Sequence, residues 1–146
     1  GTGVINRIFH GYGKFEGEMD GRKNGALISM ANGKAVAFAI FNLQARGEMF
    51  VTHNDPVYEG MIVGLAPKPG DMIINVMKGK QLTNMRTQGT DENVVLTPVR
   101  QMSIAEQLSM LNTDEALEIT PKSLRLRKAI LNPNDRKKNE KSGTPL

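Results

Sequence analysis

The longest near-apolar run in this chain is the seven residues Ala35-Val36-Ala37-Phe38-Ala39-Ile40-Phe41. A membrane-spanning helix needs about 18 or more consecutive apolar residues, so no such segment is expected. Short apolar runs separated by Gly, Pro and Asn favour short strands joined by turns over long helices. Strands are expected at residues 4–9, 26–30, 34–41, 48–52, 57–64, 72–77 and 94–97. Asn32-Gly33, between two of these runs, predicts a hairpin, because both central residues of a type I′ turn need positive φ.

One helix is expected. Ser103-Ile104-Ala105-Glu106 has the form of a capping box, in which the Ser hydroxyl and the Glu carboxylate satisfy each other's backbone amides. Ile104, Leu108 and Leu111 follow at helical spacing, predicting a helix over 104–112. Residues 117–119 read as extended. Ser123-Leu124-Arg125-Leu126-Arg127 alternates with period two, predicting a strand with Leu124 and Leu126 inward and the arginines outward. A helix stays open there, since Thr120 could cap it with Pro121 in the first turn. Asn132-Pro133 repeats that pattern, with a short polar helix over 136–141 fraying into a disordered end. The expected class is mainly β (α+β), as a small β-barrel-like domain with one short helix.

The 146 residues suit one domain with a real core. The first residue is Gly1, so the chain is expected to be a piece of a longer or processed protein. The absence of cysteine excludes disulfides, zinc–thiolate sites and cysteine nucleophiles from the chain, which fits a reducing cytosol. The net charge of +4 is uneven: residues 122–146 hold eight Lys/Arg against two Asp/Glu, while residues 1–121 hold 11 against 13. A basic tail on a near-neutral body suits polyanion contact or simple solvation.

Most chemistry-bearing residues read as ordinary structure. Gly11-Tyr12-Gly13-Lys14 lacks the spacing of a phosphate-binding loop. His10 and His53 have no carboxylate at ligand spacing, and Glu16, Glu18 and Asp20 lack the pattern of a calcium loop. The serines have no nucleophile-elbow context. Met30, Met61, Met72 and Met77 sit in apolar runs and suit the core.

One stretch stands apart. KGKQLTNMRTQGTDE, residues 78–92, is too long and polar for an ordinary connection, and loops of that length are usually functional or disordered. Lys78, Lys80 and Arg86 are interleaved with Thr83 and Asn84, side chains that hydrogen-bond phosphate and ribose, and Gly79 and Gly89 permit close backbone approach. Without aromatics the loop would read RNA shape rather than stack on bases. A merely solvated loop stays open. Arg125, Arg127 and Lys128 are expected to form a second basic surface.

KGKQLTNMRTQGTDENVVLTPVRQMSIAEQL closely resembles the C-terminal region of the TypA/BipA translational GTPases. So do RKNGALISMANGKAVAFAIFNLQARGEMFV, VYEGMIVG and EITPKSLRLRKAILNPNDRKK, which together cover most of the chain in order. The resemblance implies the end of an elongation factor G domain V-like module over 1–14, including its last strand. It further implies a family-specific C-terminal domain over 15–132 and a basic, partly disordered tail over 133–146. It also implies a cytoplasmic, ribosome-associated parent with roles in stress adaptation and large-subunit assembly, its long loop reaching towards rRNA and the acceptor end of A-site tRNA. GTP and Mg would belong to an upstream domain, leaving no cofactor, metal or catalytic residue to this part. A monomer without membrane contact is expected. The alternative is a protein-interaction or structural module that makes no RNA contact.

Overall fold

The computed structural model describes residues 3, 11–13, 22–79 and 96–143. The strand expected at 4–9, most of the 78–92 stretch and the last three residues lie outside them. Among the described residues, eight strands and three helices run in the order β1 (Ala26–Ser29), β2 (Gly33–Lys34), α1 (Ala37–Gln44), β3 (Glu48–Met49), β4 (Pro56–Val57), β5 (Ile62–Leu65), β6 (Met72–Ile74), α2 (Ile104–Ser109), β7 (Glu115–Ile119), β8 (Leu124–Lys128) and α3 (Pro133–Ser142).

The frame is a four-stranded sheet in the order β3-β5-β1-β6. β1 runs antiparallel to β5, with a register shift between Leu27 and Ile28, and parallel to β6. All four β1 residues are buried, because the sheet is covered on both faces there. Alternation divides the apolar side chains between the faces. Leu27 and Val63 join Ala35, Ile40, Val57 and Val76 in one cluster, while Ala26, Ile28 and Ile62 meet Leu126 in another. β7 and β8 form a separate antiparallel hairpin, joined to the frame by a bridge between Met61 and Arg127 and by the Lys128 amide donating to the Gly60 carbonyl at 2.9 Å.

The mainly β (α+β) class holds, but several finer expectations are corrected. The sheets are open among the described residues rather than closed into a barrel. Among the described residues there are three helices where the domain was expected to hold one: α3 falls on the short polar helix expected over 136–141 in the tail, and α1 was not expected. The run 34–41 is not a strand: after β2 it turns into α1. Val36 has extended geometry and donates its amide to Val76 O at 2.8 Å, and its own carbonyl accepts from Ile40 N at 3.0 Å, starting the helix. His53 Nδ1 accepts from the Ala37 amide at 3.2 Å, satisfying one donor that a helix start leaves open. The Asn32-Gly33 hairpin is therefore absent. β2 pairs with β4, and Asn32 Oδ1 accepts from the Glu59 amide at 2.8 Å. The expected 57–64 strand is likewise split, by a turn at Gly60 with φ of +87°.

The capping box is present as expected, with Ser103 and Glu106 each bonded to the other's amide. α2 is shorter than expected, because Met110 caps it. α3 follows its Asn132 cap and is pinned by Arg136, which donates to the carbonyls of Ile130 and Leu131.

Candidate nucleic-acid interface

The polar stretch starts at Lys78, which is exposed just beyond β6. Lys80, Thr83, Asn84 and Arg86 lie outside the described residues. The flanks of the stretch are both held by α1. Val76, on the entering side, accepts from Val36 at the helix start. On the leaving side, Gln44 in the last turn of α1 grips Thr97 twice: its Nε2 donates to Thr97 O at 2.8 Å and its Oε1 accepts from Thr97 N at 3.1 Å. Eight residues of helix span about 12 Å, so this short helix spaces its contacts with Val76 and Thr97. Sequence reasoning missed this platform with the helix itself. A glutamine at the end of an apolar run was its one visible signal. Residues 96 and 97, expected in a strand, are instead irregular, and 94–95 lie outside the described residues.

The second expected basic surface is only partly formed. Arg125 and Arg127 lie on the same face of β8 and are each partly buried. Arg125 Nη1 stands 3.7 Å from Glu118, a carboxylate that also accepts from the Tyr58 hydroxyl at 2.6 Å. Burial and that hydrogen bond raise the Tyr58 phenol above its ordinary range, so Tyr58 stays a neutral donor. Arg127 Nη1 donates to Lys128 O at 3.3 Å.

Lys128 points the other way. Its side chain shares the inward face with Leu126 and is buried. Its Nζ lies 2.5 Å from Asp71, 2.8 Å from Asp114 and 3.0 Å from Glu115. Glu115, fully buried, also receives both terminal nitrogens of Arg22 and the Asn112 amide. Lys128 is therefore a structural cation in a five-residue cluster and is withdrawn from the basic surface. A lysine is kept inside only when paired this completely. Asp71, at the start of β6, meets β8 through this cluster, whereas Lys78 leaves from the far end of β6.

The cluster gives stability a defined pH dependence. Burial alone would raise the Asp71 carboxyl, but the Ala26 amide and Lys128 outweigh it and hold it below the ordinary value. Burial alone would lower Lys128, but its bonds to Asp114, Asp71 and Glu115 outweigh that and raise it. The contribution of Asp71 is complete above its unfolded value of about 4 and is lost as pH falls through its lower folded value. That of Lys128 is complete below about 10.4 and is lost as pH rises through its higher folded value. Urea midpoints measured from pH 6 to pH 2 should fall, and Asp71→Asn should lessen the fall. An identical profile for the variant would show that Asp71 carries none of it.

No group of three His, Cys, Asp or Glu among the described residues is placed to hold a metal ion, and no helix there is long and apolar enough to cross a membrane.

A family model for the TypA/BipA C-terminal domain matches residues 24–133. The chain is 48% identical over 147 residues to the large ribosomal subunit assembly factor BipA of Buchnera aphidicola subsp. Schizaphis graminum, covering 100% of this chain and 24% of that protein. It is 47% identical over 139 residues to the proteins of that name from Salmonella typhimurium and Escherichia coli strain K12, covering 94% of this chain and 23% of each. The chain thus spans about a quarter of the length of these curated relatives.

Proposed function

The chain belongs to the TypA/BipA C-terminal domain family, and from that premise we propose that it is the ribosome-contacting C-terminal module of a ribosome-associated translational GTPase acting in large-subunit assembly. The carrying observation is near-half identity across essentially the whole chain to proteins named large ribosomal subunit assembly factors. The stretch 78–92 contacts RNA, with Lys78, Lys80 and Arg86 on phosphates and Thr83 and Asn84 on phosphate or ribose. The acceptor end of a tRNA and the surrounding rRNA are its targets. The α1 platform supports this reading, because holding Val76 and Thr97 on either side gives the polar stretch a fixed base. Arg125 and Arg127 add secondary contacts from β8. The module works in the cytoplasm, as a monomer on the ribosome, and GTP chemistry belongs to another part of the parent protein.

The test uses the full-length parent. Replacing Lys78, Lys80 and Arg86 together by Ala should leave its unfolding midpoint nearly unchanged and weaken ribosome association. Each phosphate contact contributes about 0.7–0.9 to the slope of log K against log salt, so the slope should become shallower by up to about 2–3 units. Sedimentation with ribosomes indistinguishable from wild type across a salt series would refute RNA contact by the loop. A module that docks on protein would then be the better reading.

A further inference from the structure

A cavity of about 530 Å³ opens between the residues leading into α2 and the tip of the β7–β8 hairpin. Ile62 and Leu126, both buried in the second apolar cluster, form its floor, and Phe50 and Met102 pack against that cluster at its wall. Ile104 and Ile119 also line it, although they are 48% and 63% exposed, so apolar surface continues out to the mouth. Three cations, Arg100, Lys122 and Arg125, also line it, and among the described residues no acid does. Arg100 is braced from outside the cavity by Glu48 at 3.7 Å and by Glu106 at 3.6 Å. Glu106 is held below the ordinary carboxylate range by the Ser103 amide and hydroxyl of the capping box.

The size fits a small-ligand site, since such pockets run from about 300 to 1,000 Å³ and are mostly apolar with a few placed polar groups. A buried apolar floor with one aromatic wall suits a flat ring. Exposed Lys122 at the hairpin tip, with Arg125 beside it sharing its charge with Glu118 at 3.7 Å, suits the phosphates that flank such a ring. Peptides rarely combine those two features within one residue, whereas every nucleotide does. A base still stacked in a duplex could not enter, but an unpaired one splayed from its strand could, which is the usual route to base recognition in RNA. We propose that this cavity holds one unpaired nucleotide of an RNA strand, its base against Phe50 and its flanking phosphates beside Lys122 and Arg125. The proposal rests on the RNA-contact reading above and extends it: the 78–92 stretch, without aromatics, would grip backbone, while this cavity would take a base.

The experiment titrates the 146-residue chain with a labelled single-stranded hexaribonucleotide and, separately, with an RNA duplex. Phe50→Leu keeps the apolar volume but removes the stacking face, and Lys122→Glu reverses an exposed charge at the hairpin tip. Each should weaken single-strand binding at least about fivefold, the lower end of what one base–aromatic stack contributes. Phe50→Leu should leave duplex binding within about twofold of wild type. Should Phe50→Leu fail to fold, Lys122→Glu decides. Unchanged single-strand affinity, or equal losses for both RNAs, would overturn the cavity proposal and leave the loop reading intact. No binding of either RNA would remove both. Competition by a free nucleoside monophosphate as strong as by the hexamer would overturn the assignment to an RNA strand.

Discussion

Replacing Glu115 by Ala is expected to destabilise this domain by about 3–5 kcal/mol, the usual cost of breaking a buried ion pair from one side. The Glu115 side chain is fully buried, and it is the shared partner of Arg22 and Lys128, whose side chains are only 6% and 2% exposed. Removing it leaves the Arg22 guanidinium with Asp71 at 3.9 Å as its remaining ionic partner among the described residues, and takes the acceptor from the Asn112 amide. Lys128 keeps Asp71 and Asp114, which are 36% and 45% exposed and so pair in a wetter setting. The loss comes from the stranded cations rather than from any large net gain of the intact cluster, since desolvation consumes most of what the pairs return. Asp114→Asn should cost far less, about 1 kcal/mol or below, because a half-exposed carboxylate is screened. Urea unfolding of the two variants beside wild type checks this. Equal losses would mean that burial of Glu115 does not set its worth.

Gly60→Ala should cost about 3 kcal/mol or more. Gly60 has φ of +87°, where an L-residue pays about 1–3 kcal/mol. A Cβ there would also lie 2.7 Å from Leu131 Cα and 2.9 Å from Leu131 O, and backbone cannot swing aside as a side-chain tip can. Nor can the glycine rotate away. Its amide donates to Ser29 O at 3.1 Å and its carbonyl accepts from Lys128 N at 2.9 Å, tying β1 to β8. Overpacking of this kind adds about 1–3 kcal/mol. Gly70→Ala is the matched control, because Gly70 has φ of +104° but open space where the Cβ would stand. The difference between the two denaturation midpoints isolates the steric part. Coincident midpoints would show that the Leu131 segment yields freely.

Where sequence signals were local they were legible. The Ser103–Glu106 box and the Asn132-Pro133 cap each carry their own partners within a few residues, and both helices start where those residues place them. The period-two pattern likewise located β8. What failed was decided by distant residues. The run 34–41 suits strand or helix by composition, and the choice is made by Val76 and His53, which accept from the amides of Val36 and Ala37. The rule that turns Leu124 and Leu126 inward turns Lys128 inward too. Asp71, Asp114 and Glu115, all outside β8, make that tolerable, and no short-range pattern joins them to it. The cavity beneath Arg100 was equally hidden, because its walls come from segments at 50–62, 100–107 and 119–126.

The parallel pairing of β1 with β6 also bears on how the molecule is made. Leu27 finds Met72 across 45 positions of chain, and Arg22 finds Glu115 across 93. At about 5–20 residues per second, synthesis leaves the apolar β1 waiting seconds for its parallel neighbour and roughly twice as long for the acid that neutralises Arg22. Closing such long loops before any contact rewards them is also slow in itself. The nascent domain therefore passes through a period in which its central strand is sticky and its future buried charges are still in water. A ribosome that stalls before residue 115 releases a chain unable to close. Such products are natural clients for chaperones and proteases, and the Arg22–Glu115 contact serves as a late mark of a finished domain.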